Sequence, residues 1–101
     1  MKASDLLSVN PVLVDRIRLT IMANLSMAGG AVDFNTLLEE LGLTKGNLST
    51  HLRKLEDAEL ISVKKGFIDR KPRTTYACTA RGKREMHNYL ATIEAFLKSA
   101  K

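Results

Sequence analysis

Eleven basic residues fall between Lys45 and Arg84 (Lys45, Arg53, Lys54, Lys64, Lys65, Arg70, Lys71, Arg73, Arg81, Lys83 and Arg84) against four acidic ones, Glu56, Asp57, Glu59 and Asp69. This segment therefore carries +7, while the whole chain of 101 residues carries +5 and the remainder sums to −2. Cations concentrated on one contiguous stretch, rather than spread for solubility, are suited to a polyanion. Interleaved with them are side chains of a second kind. Thr44, Gly46, Asn47, Ser49 and Thr50 precede Arg53 and Lys54, and short or forked polar groups of this type reach base edges in a DNA major groove without pushing a helix out of it.

Other chemistry is sparse. His51 and His87 are the only histidines, and His51 sits beside an apolar stripe where packing at the helix flank is its expected role. Cys78 is the single cysteine, so there is neither an internal disulfide nor a multi-cysteine metal cage, and as a neighbour of Tyr76 on a strand it is expected to be buried. Glu39-Glu40 and Glu56, Asp57 and Glu59 read as solvated helix surface. No nucleophile–base spacing, phosphate-binding glycine loop or metalloenzyme signature is present, so no catalytic residue, metal or cofactor is expected and an enzyme is excluded. With 45% hydrophobic and 27% charged residues, no membrane-length apolar run and no signal-peptide pattern, a cytoplasmic globular protein is expected.

The elements that must position the polar and basic groups follow from periodicity. Leu48, Leu52 and Leu55 fall within about 60° of one another at 100° per residue, so a helix capped by Thr44 turns three leucines inward and Gly46, Thr50, Arg53 and Asp57 outward. Gly46 costs that helix about 1 kcal/mol relative to alanine, which close approach of a phosphate or base edge would explain. Taken alone, the outer face also fits an ordinary solvated surface. Upstream, Asn35 is expected to cap a short helix through Leu41, stopped by Gly42, after a brief extended Val32-Asp33-Phe34. Leu37, Leu38 and Leu41 point inward, and Leu43 plugs the turn.

Asn10-Pro11 predicts the start of a first long helix, with Val14, Ile17, Ile21, Leu25 and Ala28 as its stripe and Gly29-Gly30 as its end. Val12, Leu19, Met22 and Ala23 lie off that stripe, giving the helix a second surface to bury. After the polar helix, Ile61 and Val63 alternate on one strand and Thr74, Tyr76 and Cys78 on another. The seven residues Gly66 to Pro72 are expected to form a long, ordered, cationic loop between them. From about Ala80 to Ala100, Met86, Tyr89, Leu90, Ile93, Phe96 and Leu97 recur at nearly heptad spacing. Pairing with a second copy is the expected use of that stripe, the alternative being docking on the chain's own small core.

The string Leu43-Thr44-Lys45-Gly46-Asn47-Leu48-Ser49-Thr50-His51-Leu52-Arg53-Lys54-Leu55-Glu56, followed by Arg70-Lys71-Pro72-Arg73-Thr74-Thr75-Tyr76 and Thr79-Ala80-Arg81-Gly82, resembles the winged helix-turn-helix regulators of the MarR/ArsR-like group, in particular small stand-alone bacterial and archaeal members. The resemblance runs from about Asn10 to the C-terminus. It implies a mainly α fold with a β-hairpin wing: one domain over 1–101, helix-turn-helix at about 35–58, wing at about 60–79 and a dimerisation helix at about 80–100. It further implies a homodimer on double-stranded DNA, with the third helix in the major groove and the wing on the adjacent backbone or minor groove.

The DNA-binding set expected on these grounds is Thr44, Lys45, Gly46, Asn47, Ser49, Thr50, Arg53, Lys54, Lys64, Arg70, Lys71 and Arg73. The dimerisation set is Val12, Leu19, Met22, Met86, Tyr89, Leu90, Ile93, Phe96 and Leu97. A small effector, bound in a cleft between the dimer and DNA-binding helices, is compatible with the chain, but no residue names one. A winged-helix adaptor that binds another protein is the alternative function. Two departures from the family pattern stand out. Glu59 occupies a position that is usually glycine, implying strain if the backbone there is left-handed, and Ala80-Arg81 replaces the usual proline and acid at the start of the last helix.

Overall fold

A computed structural model describes residues 1–100. Its first long helix, α1, spans Arg16–Ala28 and is started by Asp15, whose carboxylate accepts from the N–H groups of Ile17 at 2.9 Å and Arg18 at 3.0 Å. The expected start at Asn10-Pro11 produces only a 3-10 turn, Pro11–Leu13, in which Asn10 accepts from the Val12 N–H at 3.0 Å. The backbone then leaves the helical region at Val14 (φ −85°, ψ 61°), so no hydrogen-bond ladder crosses this point. Arg18 ties the break shut by donating Nε–H to the Val12 carbonyl at 2.7 Å. As a result Val14 faces solvent rather than continuing the stripe, whereas Ile21 and Leu25 are buried as expected.

β1 (Val32–Asp33) leads directly into α2 (Phe34–Leu41). Asp33, rather than Asn35, caps this helix, its carboxylate accepting from the Thr36 N–H at 2.7 Å, because the extended backbone of the strand's last residue already has the conformation a cap requires. Gly42, at φ 63°, ends α2 in the left-handed region. Thr44 then caps α3 (Lys45–Asp57), accepting from the Asn47 N–H at 3.2 Å. Leu48, Leu52 and Leu55 are all buried. Past α3, Glu59 does adopt the left-handed conformation, at φ 61°.

The hairpin differs from expectation. β2 (Ile61–Ile68) and β3 (Lys71–Cys78) pair along their full lengths, from Ile61 opposite Cys78 to Ile68 opposite Lys71. Only Asp69 and Arg70 remain as the turn, at φ 50° and 67°, the two left-handed residues of a type I′ hairpin. Most of the expected loop is therefore strand. Its alternation was masked because neither face of the outer hairpin is buried, so Gly66, Phe67, Ile68, Lys71 and Pro72 carry no core signal. β1 reaches only Thr75 and Tyr76 in the sheet order β1-β3-β2. Pro72 lies beyond it, where β3 has one neighbour and a missing N–H is tolerated.

Thr79 caps the last helix, α4 (Ala80–Ser99). Its hydroxyl accepts from the Gly82 N–H at 2.9 Å and donates to the Glu59 carbonyl at 2.7 Å, which joins the start of α4 to the turn out of α3. The fold is thus mainly helical with a small three-stranded antiparallel sheet: a winged helix. One core, built on Leu13, Ile21, Met22, Leu25, Leu37, Leu48, Leu52, Leu55, Leu60, Ile61 and Met86, gathers residues from all four helices and the base of the hairpin. Among the described residues no helix is long and apolar enough to cross a membrane.

Candidate nucleic-acid interface

The leucine face of α3 fixes where its other side points. With Leu48 and Leu55 fully buried and Leu52 nearly so, Lys45, Gly46, Asn47, Ser49, Thr50, Arg53 and Lys54 are all exposed, together with the capping Thr44. A β-carbon added at Gly46 would meet nothing, so the first turn is open to an approaching group, and no protein atom accounts for the glycine. On its flank α3 is fastened to α1: the Arg18 guanidinium lies 3.2 Å from His51 Nδ1, and Asp15 lies 3.9 Å from the same nitrogen. His51 is thus a packed, hydrogen-bonded flank residue. The Arg18 N–H, followed by the neighbouring positive charges, holds the Asp15 carboxyl below the usual carboxylate range despite some desolvation.

Strand alternation assigns the wing side chains to faces. Lys64, paired with Thr75, shares one face of the hairpin with Arg73 and Lys71, while Lys65 and Phe67 lie on the other, opposite Thr74 and Pro72. Lys64, Lys71 and Arg70 are exposed, Arg70 at the turn. Arg73 is not at the tip. It sits in the third position of β3 and is engaged by Asp33, with Nη2 and Nε each 3.3 Å from Oδ2. Asp33 therefore caps α2 with one oxygen and holds the wing with the other, and the Thr36 N–H is the first cause of its lowered carboxyl pKa. Beyond the wing in sequence, Lys83 and Arg84 are both exposed, while Arg81 pairs with Glu59 at 3.2 Å.

The two helices expected to dimerise are used differently from the sequence expectation. Met22 is fully buried and Met86 nearly so. Both belong to the chain's own core and present no surface to a second copy, because α1 turns Met22 inward, with its Cε beside Gly82 in the first turn of α4. Val12, Leu19 and Tyr89 are half-buried against the same core, and Ile93 is half-buried. What α4 leaves open is its C-terminal half, with Leu90 55%, Phe96 43% and Leu97 64% exposed. Cys78 is only half-buried; its sulfur lies 3.6 Å from the Ser26 hydroxyl.

A concavity of about 460 Å³ lies between α1, α2 and the wing and is bordered by Asp33, Glu40 and Arg73. No group of three or more potential metal ligands occurs among the described residues. The exposed Phe67 and Ile68 of the wing were not anticipated as site residues. In the sequence they stand as two apolar residues among cations, within the stretch from Gly66 to Pro72 that is expected to be a loop.

Residues 17–97 match the family described as winged helix DNA-binding domain. The chain is 30% identical to a solved transcriptional regulator homologue from Pyrococcus horikoshii, with a TM-score of 0.85 over 97% of this chain and 95% of the other. A PadR family transcriptional regulator from Eggerthella lenta superposes with a TM-score of 0.66 at 21% identity, over 84% of this chain and 82% of that one. Bacillus subtilis PadR in complex with operator DNA superposes at 0.61 and 20% identity, over 86% of this chain and 60% of that one. These last two identities carry the fold alone. An uncharacterized protein of Methanocaldococcus jannaschii is 39% identical over 61 residues, a stretch that covers 60% of this chain and only 66% of that relative's length. Two of these neighbours bear the PadR name, and the MarR/ArsR-like resemblance is not confirmed at the level of the subgroup.

Proposed function

The chain belongs to the winged helix DNA-binding domain family, and we propose that it is a sequence-specific, double-stranded DNA-binding transcription regulator acting as a homodimer in the cytoplasm. One observation carries this reading: a leucine-anchored helix presents an uninterrupted polar and basic face, and a hairpin bearing further exposed cations belongs to the same core. In this reading residues 1–101 form one winged-helix domain and α3 enters the major groove. Thr50 and Arg53 contact bases, with Asn47, Ser49 and Gly46 at the close approach. Thr44, Lys45 and Lys54 hold the backbone. Lys64, Arg70 and Lys71 carry the wing along the flanking backbone or minor groove, and Arg73 joins them by exchanging Asp33 for phosphate. The exposed half of α4 pairs with its counterpart.

An adaptor that binds another protein would need apolar anchors on the outer face of α3, and none of the exposed residues from Lys45 to Lys54 is apolar. Selection of bound fragments from random duplex DNA tests the proposal. A defined two-fold sequence is expected. Arg53→Ala should then cost about 1–3 kcal/mol on that sequence and relax preference at one position per half-site, while Lys54→Ala weakens all duplexes alike. Recovery of no preferred sequence, or unchanged preference in Arg53→Ala, would overturn the assignment.

A further inference from the structure

The outer end of the wing carries apolar surface that the fold does not use. Phe67 is 75% exposed and Ile68 47% exposed, and the register places them on opposite faces of the hairpin, Phe67 across from Pro72 and Ile68 across from Lys71. The tip is therefore an apolar blade with an aromatic ring and a proline on one side. Cations surround it. Between Lys64 and Arg73 there are five, against the single acid Asp69.

The turn adds a second, independent observation. A type I′ turn favours glycine at its second position, yet Arg70 stands there at φ 67°, a conformation that disfavours side chains of its kind. Holding a cation at this point costs the fold strain, and strain of this sort is retained where a site uses it.

From this geometry we infer that Phe67 is a wedge that enters the minor groove beside the recognition half-site and partly unstacks a base step, while Arg70, Lys71 and Lys65 hold the phosphates on either side. The inference rests on the DNA-binding reading above. Charge selects the occupant: a second copy of the wing would bring like charges together, whereas a duplex offers anionic edges spaced about an apolar stack. Apolar side chains inserted between base pairs from the minor groove bend the helix axis and bring more protein surface into contact. Flexible pyrimidine–purine steps yield at the lowest cost, so such a step is expected outboard of each half-site at a position that no side chain reads directly.

The test uses the full chain and a duplex selected by it from random DNA, with 2-aminopurine placed in turn at each flanking step. The unmutated chain should raise the fluorescence at one flanking step. Phe67→Ala removes an exposed side chain and leaves the core intact; it should bind roughly 5- to 100-fold more weakly and abolish the rise, while Phe67→Trp restores both.

If Phe67→Ala binds with unchanged affinity, or if the unmutated chain binds with no fluorescence change at any step, the wedge is refuted and DNA binding stands. If no duplex is bound at all, the wedge falls together with the DNA reading. If Phe67→Ala loses co-sedimentation with phosphatidylglycerol vesicles but keeps its DNA affinity, the blade faces a lipid surface and the inference is overturned.

Discussion

Gly82 lies directly against the backbone of Leu60. A β-carbon at Gly82 would overlap the Leu60 carbonyl oxygen, and it would stand 3.0 Å from the carbonyl carbon and 3.1 Å from Met22 Cε. That carbonyl also accepts from the Thr79 N–H at 3.1 Å, so it cannot swing aside without breaking the junction between wing and α4. Gly82→Ala is expected to destabilise the chain by about 1–3 kcal/mol through overpacking, although alanine is the better helix former by about 1 kcal/mol. Denaturant titration measures this directly. An unchanged midpoint would mean that the first turn of α4 can shift.

Glu59 should respond in the opposite direction. Its left-handed backbone costs about 1–2 kcal/mol, and its pairing with Arg81 is exposed and contributes little. Glu59→Gly relieves the strain but adds freedom to the unfolded chain worth about 0.5–1 kcal/mol. A net gain of roughly 0.5 kcal/mol, or about 2–4 °C in Tm, is expected. A drop in Tm would show that the Arg81 pair outweighs the strain.

Asp15 and Asp33 both have carboxyl groups lowered below the ordinary value by N–H donors at helix starts. A carboxyl that is more acidic folded than unfolded contributes stability fully above its unfolded pKa, and that contribution is lost as pH falls through the folded value. Stability should therefore be flat near neutrality and decline below about pH 4. Asp33→Asn keeps a capping oxygen while removing the charge, and should flatten part of that decline in acid-dependent unfolding curves. A decline identical to that of the unmutated chain would remove Asp33 as a contributor.

Leu90 and Leu97 are exposed within one chain, so charging them tests association without disturbing the core. Leu90→Glu with Leu97→Glu should convert a dimer into a folded monomer, visible by sedimentation together with circular dichroism. A monomeric unmutated chain at high concentration would remove the dimer from the proposed function.

Which parts of this structure the sequence disclosed follows from where burial imposes a pattern. Leu48, Leu52 and Leu55, the cap at Thr44, and the stops at Gly29 and Gly42 were all legible because each rests on local stereochemistry or a one-sided core. The left-handed Glu59 was legible as a departure from the family pattern. The tight Asp69-Arg70 turn was not, because strand pairing without a buried face leaves no alternation to read. The start of α1 was missed because Asn10 and Asp15 are both good caps, and only the tertiary hydrogen bond from Arg18 to Val12 marks the break between them. Met22 was misassigned because a helix with two apolar faces does not reveal which of them meets the chain's own core. The roles proposed for the α3 face and the wing cations rest on exposure and charge, which the sequence anticipated, whereas the engagement of Arg73 by Asp33 required the fold.

The double use of Asp33 has an evolutionary consequence. Serine, threonine or asparagine in its place would still cap α2, by the preferences for that position, but none would offer a carboxylate to Arg73. Mutational drift at position 33 is therefore coupled to position 73, which lies 40 residues away. Losing the arginine first leaves a working cap, whereas losing the acid first releases a cation from the sheet. A chain that keeps arginine at 73 without the acid at 33 would have a looser wing, because nothing would hold the guanidinium against the start of α2.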